Sequence, residues 1–304
     1  MAIKPATMWL ANFRCSFGAE EFVLDKSGWC EIASDLLEKI ELQFSQLFLA
    51  FALIVNSAIA GETNVLSRSD ELISEGATNF GKGDLDKAIA DFTSAFQFDP
   101  TNTAAVLDRA VAYSAKGKYE KSIEDLNKYI LLNPTNDLAF KNRASDFEGI
   151  GEFDKAISDW NEGLRLNPND AIALSMRGYC YSHKEQFNES LKDYNQAIQI
   201  DAKCESAWNN LGWLRATCPV DSMRNGKEAV EAATKACEFS NWMKWGRIDT
   251  LAAAFAEAGD FQQAIQFQKQ ALGLNGATEK ERKEMENRLA LYQKQRPFRE
   301  TSQH

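Results

Sequence analysis

Histidine is nearly absent: His183 and His304 are the only two in 304 residues. That leaves almost no material for an imidazole-based metal site or a Ser/His/Asp triad. No glycine-rich loop has the spacing that cradles a phosphate. Proline is scarce, with six residues, which suits a helix-rich chain and argues against long irregular tracts. Basic residues are in deficit, 34 Lys and Arg against 44 Asp and Glu, for a net charge of −10. A nucleic-acid binder needs a basic face, so nucleic acid is not an expected partner. Carboxylate pairs are spread over solvated faces and carry no signal for acid–base catalysis. No enzymatic activity, metal or cofactor is expected.

What the chain does have is a period. Arg109, Arg143 and Arg177 are 34 residues apart. Asp91, Asp125, Asp159 and Asp193 keep the same spacing in another phase, and Pro100, Pro134 and Pro168 in a third. A fixed period of this length marks a stack of repeated supersecondary units. In the segment from Asn102 to Thr135, Val106, Ala110 and Tyr113 fall on one helical face. After a break at Lys116-Gly117-Lys118, a second face follows with Tyr119, Ser122, Ile123, Leu126, Tyr129 and Ile130. Spacings of three and four predict two amphipathic helices. Gly83, Gly117, Gly151 and Gly259 recur at the break, where a helix end favours positive φ. Pro at the end of the second helix cannot continue it. Small residues stand where the helices of a pair would cross: Gly76 with Ala88, Ala110 with Ser122, Ala144 with Ala156, Gly178 with Ser190.

The sequence resembles the tetratricopeptide-repeat family. The pattern W-x2-L-G is met by Trp208, Leu211 and Gly212. The pattern A-x3-F…P is met by Ala88, Phe92 and Pro100, and with Trp for Phe by Ala156, Trp160 and Pro168. Six units follow, at 69–102, 103–136, 137–170, 171–204, 205–244 and 245–278. The fifth has Arg215 for the usual Tyr and an insertion from Thr217 to Gly226. The fourth has Ala202 for the terminal Pro. The resemblance implies an all-α, right-handed superhelical solenoid. Residues 208–300 also resemble a C-terminal repeat module that recurs in bacterial proteins. Its marks are Ala216-Thr217-Cys218-Pro219, Gly226-Lys227-Glu228-Ala229-Val230, Asp249 to Phe261, and Pro297-Phe298-Arg299-Glu300. Residues 279–304 are expected to be a capping helix and tail, because a terminal repeat needs a cover with a polar outer face.

Two readings of the charged ladder are open. It is a track that grips an acidic peptide, or each Arg pairs with an Asp of its own or the preceding unit; buried charges need partners, which favours pairing. The resemblance puts a concave groove at Ile73, Ala77, Leu107, Val111, Lys141, Ser145, Ser175, Tyr179, Asn209 and Trp213. Relatives that clamp a C-terminal carboxylate carry Lys and Asn where Ile73, Ala77, Leu107 and Val111 stand here, so only Lys141 and Asn142 fit that role. Tyr179 and Trp213 are expected to form an open aromatic shelf, or to be packed between units. An open shelf suits a peptide with an apolar anchor and some basic character.

Residues 1–60 do not match the repeats. Leu42 to Gly61 carries no charge and ends in Ala58-Ile59-Ala60. This resembles a secretory signal cleaved after Ala60, with 61–68 as a linker. About 20 uncharged residues also suffice for a retained membrane anchor, and a buried helix is the third reading. The expectation is a non-enzymatic, exported scaffold for a protein or peptide partner, touching a membrane only if 42–60 is kept. The alternatives are a membrane-anchored assembly factor and a cytosolic co-chaperone. In an exported chain Cys204 and Cys237 are the best-placed pair for a disulfide; buried free thiols are the favoured reading of Cys180, Cys204, Cys218 and Cys237.

Overall fold

A computed structural model describes residues 68–301. The signal-like segment 42–60 and most of the 61–68 linker lie outside the described residues. Every regular element among the described residues is helical. The first helix, α1, covers 68–81. There follow α2 (Leu85–Phe98), α3 (Thr103–Ala115), α4 (Tyr119–Leu132), α5 (Asp137–Gly149), α6 (Phe153–Leu166) and α7 (Ala171–His183). Then come α8 (Phe187–Ile200), α9 (Glu205–Thr217), a short 3-10 turn (Asp221–Met223), α10 (Gly226–Phe239), α11 (Trp245–Glu257), α12 (Phe261–Gly273) and α13 (Glu279–Gln293). Each unit is an odd-numbered helix followed by an even-numbered one. The arrangement is a superhelical stack with α13 as the added terminal helix.

Local chemistry sets the boundaries. Asn102, Asn136 and Asp170 cap α3, α5 and α7 by accepting from backbone N–H groups of the first turn. Thr278 and Glu281 form a reciprocal capping box on α13. Helices α2, α4 and α6 end two residues before Pro100, Pro134 and Pro168. The turn inside the first, second, third and sixth units holds a left-handed glycine: φ is +80° at Gly83, +71° at Gly117, +78° at Gly151 and +85° at Gly259. The fourth unit puts Glu185 there at φ +57°, at a cost on the order of 1–2 kcal/mol for a non-glycine residue.

Small residues let the paired helices meet. Ala110, Ala144, Ala156, Ser122 and Ser190 are fully buried. At Gly76 and Gly178 an added Cβ would lie 2.6 Å from the rings of Phe92 and Tyr194. The aromatic of the second helix thus occupies the space that the glycine leaves free. Apolar clusters continue along the stack, around Leu126, Trp160, Leu174, Leu211, Leu251 and Tyr292 in turn. Odd-numbered helices touch one another from unit to unit, α3 on α5, α7 on α9 and α9 on α11. The even-numbered ones pack on their odd-numbered neighbours. The layer with the closer spacing lies inside a curved stack, so the odd-numbered helices form the concave face.

The ladder is a set of forked ion pairs within units. Arg109 donates to both oxygens of Asp125 at 2.7 and 2.8 Å, Arg143 to Asp159 at 2.6 and 2.7 Å, and Arg177 to Asp193 at 2.7 and 2.7 Å. The third nitrogen of each reaches the preceding unit, at Thr93 (3.4 Å), Asn127 (2.6 Å) and Asn161 (2.8 Å). Asp91 has no arginine, since Glu75 occupies the corresponding position; Asn79 donates to it at 2.7 Å. The guanidinium groups are thus held in pairs. Arg143→Ala leaves Asp159 buried without its cation. Losing one partner of a buried pair costs ~3–5 kcal/mol. Because Arg143 keeps 18% of its side chain exposed, the loss expected is about 2–3 kcal/mol. Asp91→Ala, which breaks one neutral–charged bond, is expected to cost about 1–2 kcal/mol. Chemical denaturation of both variants checks the order.

Candidate functional site

The concave face ends in a structured site on α7, α9, α11 and α13. Leu211 and Gly212 of α9 face inward; a Cβ on Gly212 would come within 3.0 Å of the Ala233 backbone, so α9 and α10 approach closely. That register turns Trp213 toward the concave side. It meets the chain's own C-terminal tail there. The indole Nε1 donates to Glu300 at 2.7 Å, and the ring lies 6.0 Å from that of Phe298. The Glu300 amide donates to the carbonyl of Thr217 at 2.9 Å, one of the acceptors that the end of a helix leaves without an internal partner. Arg299 ion-pairs with Glu257 of α11, which also takes Arg224 at 3.2 Å.

A buried charge supports this contact from below. Arg288 of α13 donates to both oxygens of Asp249 on α11 at 3.0 and 2.9 Å, and Gln268 of α12 adds a bond of 2.7 Å. Burial pushes the Asp249 carboxyl up, while Arg288 and Gln268 pull against it. The Arg288 guanidinium also stacks at 5.5 Å over Trp213 and 5.6 Å over Phe298. Repeat, capping helix and tail are therefore joined through one cation. The expected open shelf at Trp213 is corrected: the tail covers it. Its inner side also packs on the core shared by the fifth and sixth units, around Ala233, Ile248 and Leu251, with α13 and the tail adding the outer cover.

Beside Trp213 a cavity of about 410 Å³ opens between α7, α8, α9 and the tail. Tyr179, His183, Asn209, Asn210, Trp213, Phe298 and Glu300 are among its walls. Tyr179 is exposed and meets His183 edge-on at 4.4 Å; His183 stacks on Phe153 at 4.5 Å. Burial lowers the His183 pKa below the ordinary imidazole value. Asn209 is 8% exposed, and its Oδ1 is closed off from solvent without a hydrogen-bond partner.

The remaining expected groove residues are less open than the resemblance implies. Lys141 is held by Asp137 at 2.9 Å and by Asp170, the cap of α7, at 2.7 Å, so it is not a free clamp for a carboxylate. Leu107, Val111 and Ile73 are half-buried and Ser175 is buried; Ala77 and Ser145 are exposed. Cys180, Cys204, Cys218 and Cys237 are buried free thiols. Burial pushes the thiols of Cys180, Cys218 and Cys237 up, that of Cys237 to about 12, which keeps them protonated near neutral pH. Among the described residues no cluster of His, Cys, Asp and Glu is placed to hold a metal ion, and no helix is long and apolar enough to cross a membrane.

The sequence reading missed Asp249, Gln268 and Arg288. A signal existed: a carboxylate inside the apolar run from Ile248 to Ala256 needs a cation. Nothing local says where Phe298 lands.

Comparisons with known proteins agree with this architecture. Sequence models described as tetratricopeptide repeat match residues 79–142 and 141–216. Among solved structures, a tetratricopeptide repeat protein from Parabacteroides merdae ATCC 43184 is 21% identical. The match covers 75% of this chain and 88% of that one, with a TM-score of 0.61. The APC/C hetero-tetramer Cut9-Hcn1 is 15% identical over 76% of this chain and 46% of that one, also at 0.61. MamA from Desulfovibrio magneticus RS-1 is 17% identical over 58% and 96%, at 0.51. At these identities the likeness is one of fold. No curated protein matches the sequence.

The docked tail is tested by a double-mutant cycle. Trp213→Ala removes the anchor of Glu300 and the platform under Phe298, and is expected to cost about 3 kcal/mol. Phe298→Ala is expected to cost about 1–2 kcal/mol, since that ring is half-buried. The double variant should show coupling of about 1 kcal/mol, the range for aromatic pairs. Coupling near zero in thermal or chemical melts would mean an undocked tail in solution.

Proposed function

The chain is a tetratricopeptide-repeat protein, and on that premise we propose that it is a non-catalytic scaffold holding a protein or peptide partner on its concave face. The observation that carries the reading is the inner layer of odd-numbered helices. It presents exposed small residues, Ala77 and Ser145, at one end and the cavity beside Tyr179 and Trp213 at the other. A groove with small side chains accepts an extended or helical segment, and aromatic anchors concentrate the binding energy. The ladder arginines are taken up by their aspartates, which favours a structural role for them over direct binding.

The test uses the full chain as bait and two variants that add bulk to exposed positions, Ala77→Arg and Ser145→Arg. Both should melt like the parent. For a partner captured by the parent, at least one should weaken binding tenfold or more. A partner bound equally by both variants would move the interface off this face.

For location, the reading is export with cleavage after Ala60, supported by the uncharged stretch Leu42 to Gly61 and its Ala58-Ile59-Ala60 ending. The intact mass of the mature chain decides this. A chain beginning at Gly61 is expected. An uncleaved chain in the membrane fraction would make 42–60 an anchor, and an uncleaved chain in the soluble fraction would make the protein cytosolic.

A further inference from the structure

The cavity beside Trp213 has walls of one electrical sign. Its charged lining residues are Glu185 and Glu300; no lysine or arginine side chain lines it. His183 adds no charge near neutral pH, because burial lowers its pKa. Cations adjoining its walls are committed elsewhere. Arg288 is forked onto Asp249, and Arg299 is paired with Glu257. Among the described residues Glu300 has no ion-pair partner; it takes one hydrogen bond, from the Trp213 indole. The residue is exposed, so its carboxylate stands at the mouth and not in a sealed interior. Desolvation raises its pKa, while the Trp213 indole N–H and the charge of Arg288 pull against that rise.

The rest of the wall is aromatic, polar and uncharged, or aliphatic at Leu214 and Pro219. Tyr179, Trp213 and Phe298 supply ring surface, and ring faces attract cations. Arg288 already uses Trp213 and Phe298 in this way from the side of α13. A volume of about 410 Å³ falls within the range of small-ligand sites.

We propose that this cavity binds the cationic head of a lysine or arginine side chain presented by the partner, with Glu300 as counter-ion and Tyr179 and Trp213 as ring surface. The assignment rests on the reading of the concave face as the partner surface. It gives the tail a second role: residues 298–301 complete the binding wall as well as covering Trp213.

The experiment follows the Trp213 indole N–H signal by NMR in the full chain, assigned by its loss in Trp213→Phe. The probes are Nα-acetyl-lysine methylamide, its arginine counterpart, and Nα-acetyl-norleucine methylamide as the neutral analogue of similar length. The cationic probes should shift the signal saturably at millimolar concentration, and the norleucine probe should bind at least tenfold more weakly. Glu300→Gln, whose amide oxygen can still accept from the indole, should weaken the lysine probe fivefold or more. Equal binding of the norleucine probe would overturn the proposal, as would an unchanged lysine affinity in Glu300→Gln with the indole signal in place. If Glu300→Gln releases the tail, the preference of the parent chain for lysine over norleucine decides alone. The probes are read without the partner. Failure here, with Ala77→Arg or Ser145→Arg still blocking a partner, removes only the cation site. Probe binding with no effect of those variants on a partner removes only the groove reading.

Discussion

Everything in this molecule depends on two helices approaching closely enough to share a seam, again and again. A single helix pair has one apolar face and nothing to cover it; the next pair covers it, and the stack continues. The seam needs small residues at the crossing. Gly76 and Gly178 leave room for Phe92 and Tyr194, and Gly212 lets α9 meet α10 at Ala233. The arginine–aspartate forks stand beside that seam and fix the angle at which the two helices of a unit meet, with a third nitrogen reaching back to the preceding unit. Charge is used here for geometry inside the fold.

A stack must also end. Its last apolar face, on α11 and α12, is covered by α13, whose outer side is strongly charged. The cover is fastened by a buried ion pair, Asp249 with Arg288, and not by apolar packing alone. Such pairs contribute little net stability against an apolar substitute, but they demand one arrangement. In this case the arrangement places the guanidinium under Trp213 and Phe298, so the capping helix sets where the tail can lie. The tail then turns the end of the concave face from an open shelf into a walled cavity.

Much of this was legible in the sequence, for reasons specific to each residue. The unit length, the turn glycines and the prolines are local requirements of backbone geometry, and they repeat, so Gly117 and Pro134 point to the same turn and stop as Gly151 and Pro168. The all-α stack follows from them. The exception at Glu185 shows the limit: the left-handed turn is kept although the residue type does not favour it. The site was less legible. Lys141 reads as a free groove cation, yet Asp170 lies 29 positions away in sequence and 2.7 Å away in space. Trp213 reads as an open shelf or as packed between units, and neither reading includes the tail, because that segment lies 87 positions later. A period carries information about neighbours one unit apart, and none about a tail that folds back over several helices.

The most direct test of the account is amide hydrogen exchange at Glu300 in the full chain, because the N–H of Glu300 is bonded to the carbonyl of Thr217 at 2.9 Å. Docking of the tail predicts protection at Glu300 that approaches that of α13 and is lost together with it as denaturant is raised. Exchange at the rate of an unstructured peptide, with α13 still protected, would contradict the account: the tail would be free, the cavity would lack a wall, and Trp213 would be an open shelf.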